Sequence, residues 1–140
     1  TPPHRLYQEL ERWAALDRDI LITEFDVTVP GEQLRADYVR DFMTLCFSHP
    51  QVTGIVSWGF WANAHWRRES AFFDEQWNPT PMGREWIRKS KEWRTDVRAK
   101  TDDNGQVKVR AFLGDYSVKA GEAKKIFSHG KTGSAITLRR

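Results

Sequence analysis

Between residues 5 and 93 the spacing of apolar side chains switches repeatedly between a helical and a strand period, and this alternation limits the folds open to the chain. Residues 5–18, RLYQELERWAALDR, place Leu6, Leu10, Trp13 and Ala14 at helical spacing with charges between them. Residues 20–27, ILITEFDV, are rich in β-branched and aromatic side chains and apolar on both faces in their first half, as buried parallel strands are. After a VPGE turn, residues 32–48 return to the helical pattern through Leu34, Tyr38, Phe42, Leu45 and Cys46, and SHP stops them at Pro50. VTGIVSWGF then reads as a second strand, and PMGREWIRKSKEW as a third helix with Pro81 at its first turn. The order αβαβα with short connections specifies parallel strands coated by helices. Two such strands cannot stand alone, so the pattern implies further strands, in a barrel or a doubly wound sheet, contributed from elsewhere.

Past residue 93 the texture changes. TDDNGQVKVRAFLGDYSVKA alternates at Val107, Val109 and Ala111, and Asn104-Gly105 suits a tight hairpin turn. AITLRR offers one more short strand. The expectation is two domains, 1–93 helical and parallel, and 94–140 a small antiparallel β unit of about four strands with Phe112, Tyr116 and Phe127 as its core.

Composition excludes several classes of function. The 140 residues carry a net charge of +3 with acidic and basic residues intermixed, so no single-sign field points to nucleic acid or to a membrane surface. No eighteen-residue apolar run suggests a membrane span, and no signal-peptide pattern is visible. The opening TPPHRL resembles a loop entering a helix and reads as the interior of a longer protein. Cys46, the single cysteine, falls on an apolar helical position as a small buried hydrophobe, so neither a disulfide nor a cysteine metal site is expected. His4, His49 and His129 show no metal-ligand spacing and read as surface residues. No metal or cofactor is expected.

Two features call for chemistry. ILITEFDV carries Glu24 and Asp26 in an otherwise apolar stretch, where an unpaired charge costs several kcal/mol. They share a strand face at roughly 6.6–6.8 Å and so could not straddle one bond between them. Three of seven tryptophans, Trp58, Trp61 and Trp66, crowd into SWGFWANAHW at the end of the second strand. Ligands of parallel barrels meet the carboxyl ends of strands, which brings Glu24 and Trp58 to one mouth. Aromatic rings suit the C–H faces of sugars, and carboxylates, Asn and His suit their hydroxyls. A strand-end Glu in a structural ion pair, and tryptophans as core filler, account for the same residues without catalysis.

ITEFD resembles the ITE-x-D nucleophile motif of glycoside hydrolase family 10, the endo-β-1,4-xylanases. GIVSWGFWANAHWRRESAFFDEQWNPTPMG is similar to that family's last strand and loop in the WGFW-x-x-x-HW version. EWRTDVRAKTDDNGQVKVRAFLGDYSVKA is similar to the β extension the same members carry. The resemblance covers nearly the whole chain. It implies an α/β fold, the C-terminal part of a (β/α)8 TIM barrel containing strands seven and eight, with the rest of the barrel upstream of Thr1. It implies Glu24 as the nucleophile of a retaining glycosidase, and Trp58 and Trp66 as walls around the sugar beside the scissile bond, with Trp61 in the same cluster. Asp26 would orient groups within the site or pair with a neighbouring Arg or His. His65 would fasten the loop or bond a hydroxyl, and Asn63 is a further candidate contact. The implied substrate is xylan, degraded outside the cell, with a carbohydrate-binding or structural module without catalysis, or another (β/α)8 retaining glycosidase, as the alternatives. Ala62 stands where an acidic residue is usual in this version. The family's acid/base glutamate, which follows an asparagine, has no counterpart here, and neither does the histidine of an earlier strand.

Overall fold

The computed structural model describes residues 2–138, in two compact units divided between Glu92 and Trp93. In the first unit α1 (Pro3–Ala14), β1 (Ile20–Phe25), α2 (Glu32–Ser48), β2 (Val52–Ser57) and α3 (Pro81–Glu92) follow one another, with a single 3₁₀ turn at Arg68–Ser70. β1 and β2 pair in parallel, Ile20 against Val52 and Phe25 against Ser57, with register irregularities between. Parallel pairing needs a long return connection, and α2 supplies it. Among the described residues neither strand has a second neighbour.

The helices cover the face of β1 that carries Phe25. Its ring stacks on Phe42 of α2 at 4.3 Å and lies 6.1 Å from Trp86 of α3, which also stacks on Phe72 at 4.7 Å. Burying a side chain of this size contributes about 1.5–3 kcal/mol, so this aromatic stack is a principal tie between strand and helices. The buried stripe of α2 is Ala36, Val39, Phe42, Met43 and Cys46, rotated from the one expected. Leu34 faces out, and Tyr38 and Leu45 are half-buried at its margin. α2 packs chiefly against α3 rather than along the strands. α1 ends at Ala14 rather than 18, because i→i+3 bonds from Leu16 and Asp17 close its last turn and Asp17 adopts φ +52°. Trp13, assigned to its apolar stripe, is exposed.

The second unit has fewer strands than expected. Among its described residues β3 (Gly114–Ala120) and β4 (Ala123–His129) form one antiparallel hairpin turning at Gly121–Glu122, with Tyr116 stacked on Phe127 at 5.8 Å. The Asn104-Gly105 turn exists, since Asp102 Oδ1 accepts the backbone N–H groups of Asn104 and Gln106. No ladder grows from it, and Val107 and Val109 remain exposed. The facing stretch, residues 95–101, alternates Val97 and Ala99 with charges, and Val97 is exposed as well. Phe112, expected in the core, is exposed, although the Tyr116 hydroxyl lies 2.9 Å from its carbonyl and from Thr95 Oγ1. Of the strand read in AITLRR, residues 135–138 are irregular and Arg139 and Arg140 lie outside the described residues.

Candidate active site

Glu24 lies at the end of β1, where its register with β2 is irregular between Ile22 and Phe25, and Asp26 follows just past the strand. Glu24 is exposed, and its carboxylate has no hydrogen-bond or ion-pair partner among the described residues. The structural ion pair that would explain a strand-end Glu is therefore not made among the described residues. Asp26, just past the strand, is half-buried and accepts the indole N–H of Trp66 at 2.9 Å. At the same level the Trp58 N–H donates to the Phe25 carbonyl at 2.9 Å, extending the β1–β2 pairing by one step beyond β2.

Residues 58–80 form the loop that carries the remaining aromatic groups. It is stapled internally by Phe73 N–H to Phe60 O at 2.8 Å and Ala62 N–H to Phe73 O at 3.0 Å. Ser70 ties it to β1, its buried hydroxyl donating to the Val27 carbonyl at 2.7 Å. His65 is 6% exposed and accepts the Arg67 backbone N–H on Nδ1 at 3.0 Å, which leaves its proton on Nε2 in the neutral form. Nε2 is buried with no partner. Burial lowers the imidazole pKa below its ordinary value, partly opposed by the nearby Asp26 and Glu69. Gly59, at φ +102°, lies so close that a Cβ there would meet His65 Cδ2 at 2.8 Å. The ring therefore packs into the base of the loop.

The three tryptophans divide between two settings. Trp58 and Trp66 are exposed, whereas Trp61 is half-buried, stacked on Trp77 at 5.1 Å and donating its indole N–H to the Glu75 carbonyl at 3.3 Å. Asn63 is exposed without a side-chain partner among the described residues, and Ala62 is buried. Sequence reasoning passed over four residues that shape the loop: Arg67, Ser70, Asp74 and Trp77. Arg67 lies over the Trp66 ring, its guanidinium carbon 4.4 Å from the centroid. Asp74 Oδ1 accepts the N–H groups of Gln76 and Asn78; burial pushes its pKa up, but these bonds and that from the Asn78 amide hold it below the ordinary value. That turn sets Trp77 at φ +65°, a conformation bulky residues rarely adopt. The D-x-x-x-N spacing at 74–78 was the available signal for the turn.

The histidines assigned to the surface correct in one case. His49 is 2% exposed, its ring 5.5 Å from Tyr7 and its Nε2 3.5 Å from a Glu11 carboxylate oxygen, because it caps α2 where the chain turns inward to β2. Cys46 is fully buried, and burial pushes its thiol up to about 11, so it is inert. Among the described residues no group of three His, Cys, Asp or Glu is placed to hold a metal ion. No helix among them is long and apolar enough to cross a membrane.

Helix-covered parallel strands, with carboxylates and indoles near their carboxyl ends, define the class: an α/β protein. The chain belongs to glycosyl hydrolase family 10, whose sequence profile matches residues 1–89. Over 132 residues it is 37% identical to the anti-sigma-I factor RsgI6 of Acetivibrio thermocellus, covering 94% of this chain and 17% of that protein. It is 31% identical to endo-1,4-beta-xylanase 1 of Arabidopsis thaliana, covering 79% and 12%. Among solved structures it resembles xylanase 10B of Thermotoga petrophila in complex with xylobiose, at TM-score 0.58 and 25% identity over 66% of this chain and 32% of the other. The chain thus spans less than a fifth of these two sequence relatives and about a third of the solved structure.

Proposed function

We propose that the chain is the C-terminal portion of a (β/α)8 endo-1,4-β-xylanase, with β1 and β2 as barrel strands seven and eight and Glu24 as the nucleophile of a retaining mechanism. The observation that carries this reading is Glu24 itself: a strand-end carboxylate, exposed and unpaired among the described residues, two positions from the Asp26 that holds Trp66. The unpaired edges of the two strands, and the exposed Leu21 and Val56 on them, suit neighbouring strands from the rest of a barrel. Glu24 attacks the anomeric carbon of a xylosyl unit and forms a glycosyl-enzyme ester. A second carboxyl group about 5–5.5 Å away protonates the leaving oxygen and then activates water. That group comes from another strand, so the 140 residues alone release no sugar. Trp58 and Trp66 pack on the pyranose faces, Asp26 fixes the Trp66 ring, and His65 supports the loop beneath. Asn63 and Trp61 stand at the margin as further contacts. A xylan-degrading protein of this kind works outside the cell.

In the full-length protein, Glu24→Gln removes the nucleophile while preserving the shape of the side chain. Reducing-sugar release from xylan then falls on the order of 10⁴-fold while xylo-oligosaccharide binding persists. Turnover that survives the substitution refutes the assignment. A second reading is favoured by the relative named as an anti-sigma-I factor, which carries this segment in a protein whose name denotes regulation. In that reading the tryptophans bind glycan without cleaving it, and wild type and Glu24→Gln bind equally and release nothing.

A further inference from the structure

Arg67, like Glu69, makes no ion pair or side-chain hydrogen bond among the described residues of its loop. Its neighbour Arg68 is tied to Glu75 at 2.7 Å, Asp26 is engaged with Trp66, and Asp74 is consumed by its own turn. The Arg67 guanidinium has no carboxylate or carbonyl partner among the described residues; its central carbon lies over the Trp66 ring, 4.4 Å from the centroid. Stacking uses the flat face of a guanidinium and leaves its in-plane N–H donors along the rim unspent. The group is nevertheless held. Its backbone N–H is bonded to buried His65, and the ring beneath it is anchored through the indole N–H to Asp26. A fixed cation with a free bidentate edge is the complement of a carboxylate.

We propose that Arg67 reads a carboxylate-bearing branch on the glycan, a uronic acid substituent, and so sets a preference for acidic over neutral xylan. This rests on the reading of Trp66 as a sugar platform. The stack divides the two faces of that indole. With Arg67 on one face, a sugar packs on the other at the usual carbon–carbon contact, which puts the guanidinium about 8 Å from the stacked pyranose. The stacked sugar's own hydroxyls are out of reach across the ring. A side sugar that projects past the ring's edge reaches the guanidinium with its carboxylate, and the two N–H groups of the fork bond its two oxygens.

The test uses the full-length protein carrying Glu24→Gln, titrated calorimetrically with a linear neutral xylo-oligosaccharide and with the same backbone bearing one uronic acid branch. The acidic ligand binds about tenfold more tightly at low salt, and the ratio shrinks as salt is raised. Adding Arg67→Gln brings the ratio close to one, while Arg67→Lys, which keeps the charge and loses the fork, retains part of it. The readout is the ratio within each variant, so a general loss of affinity does not mimic the effect. A ratio of one in the parent, or a ratio unchanged by Arg67→Gln, overturns the proposal and leaves the sugar site standing. Binding of neither ligand overturns the sugar site, and this proposal with it.

Discussion

Gly83 in the first turn of α3 yields a prediction whose sign depends on tertiary packing. In an ordinary helix, Gly→Ala gains up to about 1 kcal/mol, because glycine gives up more backbone freedom on folding. Here a Cβ would lie 1.9 Å from the Phe72 carbonyl oxygen and 2.8 Å from its carbon, backbone against backbone, so no flexible side chain can yield. Relief requires α3 to move off residues 71–73 by more than an ångström. That displacement breaks the junction where Thr80 N–H bonds Phe72 O at 2.9 Å and Gly83 N–H bonds the Thr80 hydroxyl at 3.2 Å. Overpacking costs about 1–3 kcal/mol and the disturbed hydrogen bonds about 1 kcal/mol more, so Gly83→Ala is expected to destabilise by about 1–3 kcal/mol net of propensity. With a urea slope of about 1–3 kcal/mol/M, the unfolding midpoint followed by tryptophan fluorescence falls by about 1 M. An unchanged or raised midpoint would show that helix propensity governs this position and that the close approach of α3 to residue 72 is mistaken.

Other consequences test the site's scaffolding. The Asp26–Trp66 hydrogen bond predicts a coupling energy of about 1 kcal/mol in a double-mutant cycle of Asp26→Ala and Trp66→Phe, measured by urea unfolding; strict additivity contradicts it. His65 has a folded pKa below its ordinary 6.5, so the unfolded chain binds the proton first as the pH falls. The stability associated with neutral His65 is whole above 6.5 and is lost as the pH drops from there through the lowered folded value. His65→Gln should flatten the urea midpoint between about pH 7.5 and about pH 5.5, and an unaltered slope in that variant would assign the dependence elsewhere.

Periodicity alone located α1, β1, α2, β2 and α3, because each buries one face and repeats it over several turns or residues. It misjudged where it had only one side of an interaction to read. The buried stripe of α2 is not the one its larger apolar residues mark, and Val107 and Val109 stay exposed although Val97 and Ala99 alternate in the facing stretch. Glu24, Asp26 and the tryptophans were legible as a candidate site from their chemistry and their positions at strand ends. Their connections were not: Trp66 lies forty positions from Asp26, and nothing local encodes that bond.

What the amino-acid order by itself determined is the alternation of helices with parallel strands, and the delivery of carboxylates and indoles to the ends of those strands. These depend on periods of a few residues and on local turn chemistry. Only the tertiary structure decided which indoles are exposed, that His49 and His65 are buried, that Gly83 tolerates no Cβ, and that Arg67 rests on Trp66 with its fork free. Each of these is an outcome of close packing between segments distant in the chain, where a few tenths of an ångström determine contact, and no short stretch of sequence carries that distance.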